Sequence, residues 1–427
     1  MSKFQVILLC LFGFFIFLAV AVFALYRGGA GAGQASIVVW GDLSSQDFFT
    51  LTNSSSFNQD NTLTISYVEK RRDALEADFT EALAAGSGPD LVMLSQDSFY
   101  KNKNKLTPIP YQSISEQNFK ETFVEAGEVF LTPEGIYGLP FSIDPLVLYY
   151  NRDLLSSAGI AKPLSYWDEI YNASQSLTQR DAAGNITQSV IALGETRNIA
   201  NWKEIVSLLL LQAGTPITGF SGAELRSFLS YNFDLPVAPA ESAVDFYTQF
   251  SNPTKAYYSW NRTLSEAQTR FASGDSAYYI GFASELRALR NKNPTLNLGV
   301  APVPQSRVSG KVSTTGRLRA LAISRGARNP SAALEAAIRL VSKESSANIS
   351  QILALPPVRR DLLSDRPTDS IFPIFYAGAL QSKSWIDPDN VATAQVFKDM
   401  IERVTSGRAR TSESVKQAND ALQNLLD

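Results

Sequence analysis

Three aspartates stand beside short apolar runs. Asp42 follows Ile37-Val38-Val39-Trp40, Asp97 follows Leu91-Val92-Met93-Leu94, and Asp144 precedes Leu146-Val147-Leu148-Tyr149-Tyr150. Carboxylates accept hydrogen bonds from hydroxyls, amides and cations. In α/β proteins, ligand contacts gather at the carboxyl ends of strands. An aspartate in a loop is just as often a turn cap or a solvated charge, so position alone leaves both roles open. Trp202 and Phe141 bring aromatic faces near polar neighbours. Such a face can pack against the apolar side of a ligand, with core packing as the competing fate. Trp167, within Ser165-Tyr166-Trp167-Asp168, reads as packing at a helix start that Ser165 and Asp168 would cap reciprocally.

Composition removes several chemistries. The 427 residues include no histidine and a single cysteine, Cys10. Histidine-based triads, histidine metal sites, cysteine zinc clusters and internal disulfides are therefore ruled out. No nucleophile elbow, phosphate loop or metal-spaced cluster occurs. The pairs Tyr257-Tyr258 and Tyr278-Tyr279 cannot share a metal within a strand, because adjacent residues face opposite sides. No catalytic residue, metal or cofactor is assigned. A net charge of −3 argues against a nucleic-acid partner. An apolar fraction of 45% supports a large folded core.

The elements that must position these residues alternate. Ile37–Trp40 and Leu63–Val68 read as strands. A helix with Leu75, Phe79 and Leu83 on one face follows, and then the strand Leu91–Leu94. A helix-length crossover between strands implies parallel pairing, hence an α/β fold. Later come the strands Leu146–Tyr150 and Ser276–Ile280. A helix opens at Asn329-Pro330, and two closing helices are separated by Gly407.

The amino terminus sets an expected address. Phe4 to Tyr26 carries no charge and as a helix would span about 34 Å, enough for the hydrocarbon core. Residues 1–27 are expected to form an uncleaved transmembrane signal-anchor. The small-x-small run Ala30-Gly31-Ala32 is the competing sign of a cleaved signal. Residues 28–34 read as a glycine-rich linker. Leu8 and Leu9 before Cys10 do not suit lipid modification.

Several collinear segments resemble the extracellular solute-binding proteins of ABC importers, in the large subgroup of maltose-binding-protein-like sugar binders. They are Gly88-Pro89-Asp90-Leu91-Val92, then Tyr137-Gly138-Leu139-Pro140, then Leu148 through Leu155. Phe271-Ala272-Ser273-Gly274-Asp275, Gly299 through Pro304 and Leu355-Pro356-Pro357-Val358-Arg359 follow in the same order. The resemblance implies a two-lobe, periplasmic-binding-protein-like (type II) fold with a hinge and an interlobe cleft. Lobe 1 would comprise 35–142 and 316–367, and lobe 2 143–315 and 368–427. Pro140 would lie near the hinge. The resemblance aligns Asp97 and Asp144 with acidic sugar contacts and Asp42 with a polar contact. A glycine–tryptophan pair of the family is replaced here by Gly281-Phe282, so Phe282 becomes the substitute ring face. Arg317 stands where a family glycine is expected, and its fork would suit a carboxylate, phosphate or sugar acid.

The implied function is a membrane-tethered, extracytoplasmic receptor, monomeric and not an enzyme. It would close on a sugar or oligosaccharide and deliver it to an ABC permease in the membrane. A ligand-sensing ectodomain and a glycoside-processing enzyme with paired carboxylates remain as alternatives.

Overall fold

The computed structural model describes residues 35–54, 63–222, 224–307, 310, 312–365 and 367–427. The expected anchor and linker lie outside the described residues. Among those described, no helix is long and apolar enough to cross a membrane.

The chain builds one eleven-stranded sheet that serves two hydrophobic cores. β1 (Ala35–Gly41) pairs in parallel with β2 (Leu63–Glu69) and β3 (Leu91–Ser95), and the helix α1 (Leu75–Ala84) crosses between β2 and β3. The helix arises because Leu75 and Phe79, one turn apart, both bury against this sheet. A short helix, α2 (Phe99–Asn102), follows β3.

The central strands are long. β4 (Leu139–Asn151) and β9 (Thr314–Ser324) run antiparallel, and β9 separates β3 from β4. Beyond β4 the sheet continues through β7 (Ser276–Phe282), β6 (Ile186–Ile191) and β5 (Gln179–Arg180). β8 (Leu298–Ala301) adds to β4, and β10 (Ser382–Lys383) and Leu106–Thr107 add to β9.

β4 carries apolar residues almost continuously, as a strand buried on both faces must. Its first half, with Leu139, Phe141 and Ile143, belongs to the first core. Its second half, from Leu146 to Tyr149, belongs to the second. The first core also draws on Leu318 to Leu363, and the second on Phe375 to Leu422. The change of core along β4 falls at Asp144-Pro145, opposite Arg317 and Gly316. Pro140 stands earlier than this, paired with Ala320 inside the first core.

Helix α3 (Trp202–Ala213) belongs to the second core and ends at Gly214, which adopts φ 101°. α4 (Pro330–Leu340) packs on the first core behind an Asn329 cap. α5 (Phe372–Gln381) contributes Phe375 to one core and Ala379 to the other. α6 (Asn390–Thr405) and α7 (Thr411–Asn424) close the second core, with Gly407 at φ 70° between them. At the start of the helix Glu169–Leu177, the reaching carboxylate is that of Glu169, not Asp168. It accepts from the Ser165 and Tyr166 amides.

Candidate functional site

A cavity of about 1020 Å³ opens at the carboxyl ends of β1 and β3. Asp42 stands one residue beyond β1, and Gln96 and Asp97 stand just beyond β3. Arg317 and Arg319 reach it from β9, Glu204 from the first turn of α3, and Asp389 to Val391 from the start of α6. Residues anchored in both cores thus face one space. Its volume lies at the upper end of small-molecule sites, which run to about 1,000 Å³.

The cavity wall is a set of pre-formed ion pairs. Arg319 grips Asp42 through two bonds of 2.8 and 2.9 Å, and Arg72 adds a third at 2.8 Å. The Asp42 side chain is only 9% exposed, so its charge is consumed by the two guanidinium groups. Arg317 donates to Glu204 at 2.8 and 3.2 Å and lies 3.8 Å above the centre of the Phe282 ring. Its fork is occupied by a protein carboxylate, and it is not open to a sugar acid in this arrangement. Asp97 accepts from the Ser95 hydroxyl.

Adjoining the cavity through Gln96, Asp97 and Glu204 lies a recess of about 40 Å³, also bounded by Ser384 and Trp385. That space exceeds the roughly 10–15 Å³ one water molecule needs. Also lining it, Lys203 donates to Asp387 Oδ2 at 2.6 Å, to Asn390 Oδ1 at 2.6 Å and to the Asn390 carbonyl at 3.0 Å. Asp387 is 1% exposed and also accepts from Thr393 at 2.7 Å. Burial pushes the Asp387 carboxyl above its usual range, with Lys203 opposing that rise. This network ties the segment before α6 to α3, and the Lys203 ammonium lies 5.8 Å from the centre of the Trp385 ring, which stacks on Phe397.

The structure brings Asp42, Asp97 and Arg317 together at the cavity. Four other expected contacts lie elsewhere or are covered. Phe141 is 1% exposed inside the first core, because its place on β4 faces α/β packing and not the cleft. Phe282 is fully buried, its ring covered by the Arg317 guanidinium. Trp202 is half-buried against the second core and does not line the cavity. Asp144 is buried at the change of core, and its two oxygens accept from the Ser284 amide at 2.9 Å and hydroxyl at 2.6 Å.

Sequence reading missed Arg72, Arg319, Glu204 and Trp385. Arg319 had a legible signal, since it shares a strand face with Arg317. Asp389 was legible as a helix cap, and it does accept from the Val391 and Ala392 amides. Glu204 and Trp385 carried no signal that separates them from surface or core positions. Among the described residues, no group of three or more acidic, histidine or cysteine side chains could hold a metal ion.

A family model for bacterial extracellular solute-binding proteins matches residues 54–370. The chain belongs to the bacterial extracellular solute-binding protein family. These are binding proteins and not enzymes. Solved structures with the same fold include a cyclo/maltodextrin-binding protein complexed with maltotetraose. It has a TM-score of 0.74 and 18% identity, covering 91% of this chain and 96% of that one. A cyclic α-maltosyl-1,6-maltose binding protein from Arthrobacter globiformis gives 0.73 at 14% identity, covering 92% and 99%. A maltose-binding periplasmic protein from Listeria monocytogenes in complex with maltose gives 0.68 at 15%, covering 92% and 97%. A putative binding protein of Brucella abortus (strain 2308) is 29% identical over 112 residues, which is 25% of this solute-binding protein and 26% of that relative. The match therefore spans about a quarter of the curated relative.

Proposed function

We propose that this solute-binding protein is the membrane-tethered, extracytoplasmic receptor of an ABC importer, which captures a carbohydrate and hands it to a permease. The observation that carries the reading is the cavity lined from both cores by hydrogen-bonding side chains whose charges are already balanced. Such a wall presents many donors and acceptors without demanding a net charge of the guest, as suits a polyhydroxylated molecule. Two of the structural relatives named above were solved in complex with maltotetraose and maltose, and the third is named for binding a cyclic maltosyl-maltose, which supports the same reading. Two lobes, 35–142 with 316–367 and 143–315 with 368–427, would close about the crossing strands. A ligand that touches both lobes favours the closed state by its differential contacts. Residues 1–27 would anchor the receptor, and it would act as a monomer. Asp42, Asp97, Arg317, Glu204 and Trp385 are the proposed contact residues.

Calorimetry of residues 34–427 against a panel of mono- and oligosaccharides tests this, paired with small-angle scattering. A saccharide that binds and shrinks the radius of gyration is the expected outcome. Binding of amino acids, polyamines or iron with no saccharide bound overturns the carbohydrate assignment. Recovery of a chemically altered saccharide overturns the receptor reading.

A further inference from the structure

Lys101 and Asp389 meet in the wall of the cavity. Lys101 lies in α2, directly after β3, and α2's Phe99 is part of the first core. Asp389 caps α6, whose Phe397, Met400 and Ile401 are part of the second. The Lys101 ammonium sits 3.1 Å from Asp389 Oδ2. The division of labour within Asp389 is clean: Oδ1 caps the Val391 and Ala392 amides, while Oδ2 meets the lysine.

Lys101 also has a partner on its own side, Glu76 of α1, at 3.7 Å. Glu76 is held toward α2 by the Asn102 side-chain amide at 3.3 Å. One cation therefore stands between two carboxylates, one in each half of the molecule. Asp389 is itself kept in place by its neighbours, since Lys203 spends three hydrogen bonds on Asp387 and Asn390 on either side of it. All three charged groups, Lys101, Glu76 and Asp389, line the ligand cavity.

We propose that Lys101 is a cross-cleft latch that exchanges carboxylate partners as the two halves part. In the arrangement seen here it bridges to Asp389 across the cavity. When the halves separate it falls back on Glu76, so opening leaves no bare ammonium. The exchange keeps the empty receptor in a balance between two positions, because the cation gains a similar partner in each. This latch goes beyond the proposed carbohydrate function and does not depend on which solute binds.

The test is pulsed electron paramagnetic resonance on the full chain without ligand. Cys10, the only native cysteine, is replaced by serine. Spin labels are placed at Glu81→Cys on α1 and Gln395→Cys on α6, both exposed positions. Lys101→Met and Asp389→Asn should each move the ratio of short to long distances roughly two- to five-fold toward the long ones, the range expected of a part-exposed ion pair. Asparagine keeps the helix cap, so that variant removes the charge alone. Lys101→Arg should retain the short distance. Glu76→Gln should move the ratio the other way, and high salt should imitate Lys101→Met. Distances unchanged by Lys101→Met and Asp389→Asn overturn the latch, as does a shift with only one of the two. Because no solute is present, failure of the carbohydrate assignment leaves this result unaffected, and failure of the latch leaves the assignment standing.

Discussion

Asp144 shows what sequence spacing reveals of a carboxylate and what it does not. It was expected just before a buried strand, and it lies within β4, where that strand passes from one core to the other. Its role was not legible, because sequence spacing does not show that Ser284 would supply both an amide and a hydroxyl to the carboxylate. Burial raises the Asp144 pKa to about 6, against the pull of Ser284 and Arg317 and with Glu285 adding to the rise. A carboxyl that binds its proton more tightly when folded stabilises the fold most at low pH. That contribution is lost as pH climbs from near 4 through about 6. At pH 7 the buried charge costs on the order of 3 kcal/mol relative to a group that does not titrate. Asp144→Asn should therefore gain stability over the native protein as pH rises from 4 to 7. Urea unfolding at both values checks it, and a difference that does not change with pH would remove the titration from Asp144. Arg317 teaches the complementary lesson. Its positive fork was legible, but the Glu204 that occupies it was not, because the two lie far apart in sequence and meet only through the packing of α3 beside β9.

At the scale of elements, local pattern carried furthest. The strands at β1, β2 and β3, the amphipathic α1 and the closing helices α6 and α7 followed from apolar spacing and glycine stops. The full length of β4 and β9 did not. Only Leu146–Tyr150 of β4 was expected as a strand, and no strand was expected over β9. At the change of core, Asp144-Pro145 of β4 lies close against Arg317-Gly316 of β9. Gly316 explains the closeness. A Cβ there would stand 3.1 Å from the Asp144 carbonyl oxygen, the Pro145 Cα and the Ser382 hydroxyl. Two of these are backbone atoms of the neighbouring strand and cannot swing aside. Gly316→Ala should destabilise the protein by about 1–3 kcal/mol, seen as a lower urea midpoint with an unchanged slope. An unchanged midpoint would mean that the crossing has room to spare.

For the whole molecule, the two cores are not independent domains. β4 runs from one core into the other, β9 pairs with it across the change with one register shift at Arg319-Ala320, and α5 packs into both. Global opening of either core therefore strips partners from the other. The slowest amides of β3 and β7, one from each core, should exchange with the same free energy in native-state hydrogen exchange. Two separate plateaus would show that the halves melt apart. The division into two halves was legible only through the family resemblance, since periodicity cannot reveal which strands share a sheet. The same interleaving constrains how the protein is made. β9 lies between β3 and β4, yet it is encoded far downstream of both. A ribosome that has released the chain through Asn151 has produced two strands with no common neighbour and an amino-terminal half that lacks its middle. That half must stay unfinished until more than three hundred residues have emerged.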